Sequence, residues 1–286
     1  MQSKCTTEKF DLKRRLKSML RVDFRRMLKS RLFYILIATA LLIPIVMTVM
    51  LTMMSGTETV NHQTGEITVI TGPESVWESI GTLPWKAPSL DASAGMNGAA
   101  GGMAGMGGMD VMSMCNINMM FMLVAVFICL FISDDFRSGY AKNLFTVRSK
   151  KSEYVASKTI AGFVCGALML IAYFLGALLG GAISGLSFDL GTLTVGNLVM
   201  CMIAKIFLML VFVSIFTLVS VAAKKTAWLS VCGSLGGGML LFMMVSMITP
   251  LNSTPMHVLL CAAGGTMFAF GLGAFSNLVL KKTSLV

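Results

Sequence analysis

The chain alternates between long apolar runs and short polar connections. The apolar runs cover roughly 32–54, 114–133, 159–183, 197–222, 227–248 and 257–280. Each is close to the ~20 residues that a helix needs to cross a bilayer. The pattern predicts an all-α integral membrane protein of six transmembrane helices. Before the first run, residues 1–31 carry Leu12, Leu16, Met19, Leu20, Phe24, Met27 and Leu28 on one helical stripe. Lys13, Arg14, Arg15, Lys17, Arg21, Arg25, Arg26 and Lys29 fill the other faces. This reads as an amphipathic helix lying in the membrane interface, not as a signal peptide. It serves as a topology anchor, as a docking element for a partner, or as both.

Between the second and third runs, residues 134–158 are polar and mostly basic. Taken as one helix beginning at Ser133, the segment places Phe136, Tyr140, Leu144 and Phe145 on one face. Ser133 would cap it, and Asp134 and Asp135 would sit at its positive dipole end. A basic turn follows at Arg148, Ser149, Lys150 and Lys151, and Ser152-Glu153 restart a helix that enters the third run. The apolar face needs a partner, the membrane surface, or neighbouring helix ends to cover it.

Composition agrees with this pattern: 56% of the 286 residues are hydrophobic and 13% charged. The net charge of +10 could suggest nucleic acid, but its placement argues for the membrane face. With the amino terminus inside, 21 of the 23 Lys and Arg fall in 1–31, 134–158 and the pairs at 224–225 and 281–282. The outer loops 55–113, 184–196 and 249–256 then hold only Lys86. Both termini are therefore expected in the cytoplasm, with the protein multi-pass in the inner membrane. Seven scattered cysteines form no CxxC pair, so neither a disulfide framework nor a zinc site is suggested.

The large outer loop 55–113 begins with a predicted hairpin containing Ile67 and Val69. It ends in a Gly/Met-rich stretch with Met103, Met106, Met109 and Met112 at every third position. Thioethers at such spacing could hold Cu(I); the plainer reading, which we favour, is an adaptable apolar lead-in to the second span. Gly162/Gly166, Gly176/Gly180, Gly181/Gly185 and Gly233/Gly237 have the GxxxG spacing of tight or oligomeric helix packing. Pro44 is expected to kink the first span. Lys205, about two turns into the fourth span, is the only basic residue at depth. It is either part of a substrate path or a side chain that snorkels outward.

The sequence holds no G-x-x-x-x-G-K-[ST] motif, no HExxH, and no acid at membrane depth. A transport-like chain without an energy source of its own should borrow one.

Six spans with both ends inside, an amphipathic basic helix in front, and a helical loop after the second span together resemble the permease subunits of type-2 ABC exporters. Locally, Asp135 and Gly139, then Ser149-Lys150, then Lys158 look like that family's acid, glycine, Ser-Arg and closing Lys. Asp replaces the usual Glu, Val147 lies near the place of a Pro, and Lys150 replaces Arg.

The resemblance implies a non-enzymatic permease with a 32–286 transmembrane domain and no cofactor of its own. ATP and magnesium would belong to a separate ABC ATPase, present in two copies, and a second permease copy or a related permease would complete the path. Residues 134–158 would be the coupling loop that docks on the ATPase, through Asp134, Asp135, Phe136, Arg137, Gly139, Tyr140, Leu144, Phe145, Arg148, Ser149, Lys150 and Lys158. The expected substrate is an amphipathic peptide or antibiotic. Drugs, sodium or a lipid-linked glycan are alternatives, as is a copper-handling protein outside the ABC class built on the Met run.

Overall fold

In the computed structural model, residues 2–55, 58–60, 67–69, 75–80, 116–147, 151–190 and 193–282 are described. The chain runs from α1 (Gln2–Lys29) into α2 (Arg31–Met54) with only Ser30 between them. Strands β1 (Glu58–Val60) and β2 (Ile67–Val69) pair antiparallel, Glu58 opposite Val69, as the alternation in the outer loop predicts. A short α3 (Val76–Ile80) follows, then α4 (Met119–Arg137), α5 (Tyr140–Val147) and α6 (Lys151–Ser184). The last three are α7 (Val195–Ala223), α8 (Ala227–Ile248) and α9 (Pro255–Lys282).

Helices α2, α4, α6, α7 and α9 are long and apolar enough to cross a membrane. The 22 residues of α8 would rise about 33 Å, although its described apolar stretch ends at Phe242. The rest of the α-helical expectation holds, with the hairpin as a small addition outside the spans.

Glycines set the closest approaches. A Cβ on Gly176 would meet the Pro44 ring at 2.7 Å, and one on Gly180 would lie 3.0 Å from the Ile45 Cα. The Gly176/Gly180 pair therefore seats α6 against α2 where the proline lies. One carbonyl that Pro44 cannot disturb, its own, accepts from the Thr48 hydroxyl at 2.6 Å, and α2 stays helical from end to end. Gly162 and Gly166 play the same part toward α4 and α7, where Ile128, Val213 and Met209 close on them. These motifs are spent on packing within one chain. A second interior contact is polar: Ser230 donates to Ser220, whose hydroxyl is in turn bonded to the Phe216 carbonyl, with the Cys129 thiol beside Ser234.

Two expectations about α1 and the segment 133–147 are corrected. Residues 133–147 are not one helix. The second span continues to Arg137 as α4, the chain turns at Gly139 with φ +75°, and α5 starts afresh at Tyr140. Only glycine adopts that φ without strain, and the Ser138 N–H and hydroxyl both close on the Asp134 carbonyl at 2.8 and 2.7 Å. Ser133 is thus a buried residue inside α4 and caps nothing, and Asp134 and Asp135 lie at a helix C-terminus.

The second correction concerns α1. Its most buried positions, Met19, Asp23 and Met27, are spaced by four and turn toward protein, chiefly α6. Leu28 and Val22 remain exposed. The helix is docked on the bundle along one edge rather than resting wholly in lipid.

Candidate functional site

α6 has 34 residues, about 51 Å of helix, so it outruns the ~30 Å hydrocarbon core. Its first two turns carry Tyr154, Ser157 and Lys158, all buried. Against them come Asp23 from α1 and Asp135 from the end of α4, both fully buried. Lys158 Nζ lies 2.8 Å from Asp23 Oδ1 and 2.6 Å from Asp135 Oδ2. Arg26, one turn beyond Asp23 (side chain 29% exposed), reaches Asp135 Oδ1 at 2.6 Å. The Ser157 hydroxyl donates to Asp23 Oδ2 at 2.5 Å, and the Tyr154 hydroxyl to Asp135 Oδ2 at 3.1 Å.

Three carboxylate oxygens accept hydrogen bonds, while Asp135 Oδ1 is held by charge contact with Arg26 without hydrogen-bond geometry; two positive charges balance two negative ones. That balance is what allows the charges to be buried at all. Aromatic faces close the site: Lys158 sits 3.9 Å above the Phe131 ring and Arg26 4.3 Å above the Tyr140 ring. Burial works against the Arg26 charge, but Asp135, Tyr140 and Asp23 together more than offset it, so the guanidinium holds its proton more tightly than usual. Burial, and then the negative charge of Asp23, push the Tyr140 phenol up.

With both carboxylates buried and ion-paired, this node presents no accessible base or nucleophile to a substrate. What it can do is mechanical. It fastens α1, α4 and α6 to one another at the root of α5.

The predicted coupling residues divide accordingly. Asp135, Phe136 and Lys158 face inward and cannot touch a partner. Phe136 packs edge-on to Tyr154 with ring centroids 6.2 Å apart, and Phe145 does so at 5.3 Å. Tyr140 and Gly139 are half-buried, and Leu144 is packed against the core. The apolar face read as a docking surface is mostly the underside by which α5 sits on the bundle. Asp134 and Arg137 are exposed, joined by Ser138, Lys142, Asn143 and Thr146. Arg148, Ser149 and Lys150 lie outside the described residues, as does the Met103–Met112 run.

Asp23 was not singled out from the sequence. Its signal was an acid at the centre of a buried stripe, four residues from Met19 and four from Met27.

Lys205 does not snorkel. It is 1% exposed, and its Nζ donates to Asn118 Oδ1 at 2.7 Å and to Thr249 Oγ1 at 3.0 Å. Asn118 directly precedes α4, and Thr249 caps the C-terminus of α8, where carbonyl dipoles favour a cation. No acid pairs with Lys205 among the described residues. It ties α7 to the start of α4 and the end of α8.

The geometry is that of a bundle of apolar helices with an ion-paired root at the base of α5. A family model described as ABC-2 family transporter protein matches residues 92–240, just over half of the chain. The chain belongs to this ABC-2 family and is a type-2 ABC transporter permease subunit, a multi-pass membrane component that works with an ATPase subunit. The matched stretch contains Asp135, Lys158 and Lys205 but stops short of Asp23 and Arg26 on one side and α9 on the other. Compared with curated proteins and with solved structures, the chain gives no match.

Proposed function

We propose that this permease forms an exporter of amphipathic peptides or antibiotics, as one of two permease copies working with two separate ATPases. Its six spans sit in the inner membrane with both termini in the cytoplasm. The charge bias of the connections supports that orientation. The observation that carries the coupling role is the rooting of α5: its outer side is polar and open, while its inner side is fixed to the ion-paired node. A push from a closing ATPase on Lys142, Asn143 and Thr146 would pass through Tyr140 and Phe145 to α1, α4 and α6 together. Lys205, buried among the helices, remains a candidate for the substrate path.

The test is co-purification of the cognate ATPase and ATP hydrolysis in membranes. Lys142→Glu, which reverses an exposed charge, should weaken both while leaving the melting temperature unchanged. Leu144→Glu, which drives a charge into the underside of α5, should lower the melting temperature first. Wild-type ATPase retention in a triple Lys142→Glu, Asn143→Glu, Thr146→Glu variant would show that α5 is not the docking element.

A further inference from the structure

At the cytoplasmic ends of α2, α4 and α8 lies a cleft of about 290 Å³. This is at the small end for a ligand pocket, roomy enough for a polar headgroup but not for a whole lipid. Its floor is apolar, made by Leu32, Phe127, Leu130 and Phe131. Arg137 and Lys225 stand at its rim, both exposed and neither ion-paired among the described residues. Asp134 also lines it, one negative charge against two positive, and its carboxylate lies 3.9 Å from Arg26. Inside, the Ser133 hydroxyl oxygen is buried with no hydrogen-bond partner among the described residues, in a side chain only 3% exposed. A buried polar atom of this kind normally has a partner.

The level of the cleft is marked by two aromatic side chains. Trp228 follows Ala227 of the lining and is 79% exposed, and Tyr34, on the first turn of α2, is 58% exposed. Exposed Trp and Tyr at span ends sit at the headgroup level of a bilayer. The site therefore combines two unpaired cations, an unsatisfied hydroxyl and an apolar floor at the depth where phosphates meet acyl chains.

We propose that this cleft binds the headgroup of an anionic phospholipid of the inner leaflet. Arg137 and Lys225 take the phosphate, Ser133 donates to one of its oxygens, and the upper acyl chain lies along Leu130 and Phe131. The leaflet assignment rests on the orientation proposed above; the binding itself does not. Because Phe131 also roofs the ion-paired node, the bound lipid packs directly against it.

The experiment is native mass spectrometry of the purified full chain. It is released from detergent with equal amounts of phosphatidylglycerol and phosphatidylcholine of the same acyl chains. The wild type is expected to retain phosphatidylglycerol preferentially. Arg137→Gln with Lys225→Gln should cut that preference roughly 25-fold, about fivefold for each cation near an anionic group. Lys281→Gln, an exposed cation at the other end of the chain, should leave it intact. Leu130→Trp keeps both cations but fills the cleft and should also expel the lipid. It covers the case in which the double variant fails to fold. Undiminished preference in either folded variant overturns the proposal. So does displacement of the lipid by free glycerol phosphate at equal concentration, which would make this a site for a soluble anion.

Discussion

Lys158→Met removes the one side chain that touches both buried carboxylates of the node. Asp23 would keep only the Ser157 hydroxyl, and Asp135 would keep Arg26 and the Tyr154 hydroxyl. Two buried negative charges would then face one partly exposed cation. Breaking a buried pair by deleting one partner typically costs about 3–5 kcal/mol, because the remaining charge is left uncompensated. For a chain of this size that corresponds to a fall in melting temperature on the order of 10 °C. The second variant makes the argument specific. Asp23→Asn with Lys158→Met restores neutrality, leaving the Asp135–Arg26 pair intact, and should recover most of the loss. Met supplies a stem of similar length, and Asn can still accept from Ser157. The assay is thermal unfolding of the purified permease in one detergent, for wild type, both single variants and the double, read as a double-mutant cycle. Wild-type melting in Lys158→Met, or a double variant no more stable than Lys158→Met, would refute the account of the node as a charge-balanced fastening.

Orientation is checked by thiol labelling of intact cells in a background without native cysteines. A cysteine at exposed Asn252 should react with an impermeant reagent, and one at exposed Thr226 should not. Lys205→Met removes a buried charge that neutral groups alone solvate. It should melt at or above the wild-type temperature, since apolar replacement of a buried ion is often neutral or stabilising. A marked fall in melting temperature would show that the clasp on Asn118 and Thr249 outweighs the cost of burying the charge.

Long apolar helices were legible because lipid imposes one simple rule on them, and the run 32–54 and the run 197–222 obey it as α2 and α7. The hairpin at Ile67–Val69 was legible from its alternation, and the restart of a helix at Ser152-Glu153 from its polar entry. The geometry of the ion-paired root was not. A face drawn through Phe136, Tyr140, Leu144 and Phe145 assumes an unbroken 3.6-residue period, and Gly139 resets that period. The glycine was visible but was read as part of a motif instead of as a helix break. Asp23 was missed for a related reason. A basic amphipathic helix is expected to present its apolar stripe to lipid, where an acid has no place; Asp23 is buried because the stripe faces protein instead. Lys205 was correctly found as unusual, but its partners come from 87 and 44 residues away in sequence, which no local pattern reveals.

The Asp23–Lys158 contact joins residues 135 positions apart, and this separation has a consequence for biogenesis. At roughly 5–20 residues per second, Asp23 is made about 7–27 s before its lysine. Throughout that interval the carboxylate has no counter-ion, and the first helix cannot adopt its final seat. It must wait in water or at the headgroups, kept there by its own basic flank, until the third span has been inserted. The helix that carries Asp23 is thus made before all six spans and is among the last segments to be locked. An early translational pause or a bulky amino-terminal fusion would act on assembly at this late step, after the first two spans are already in the membrane.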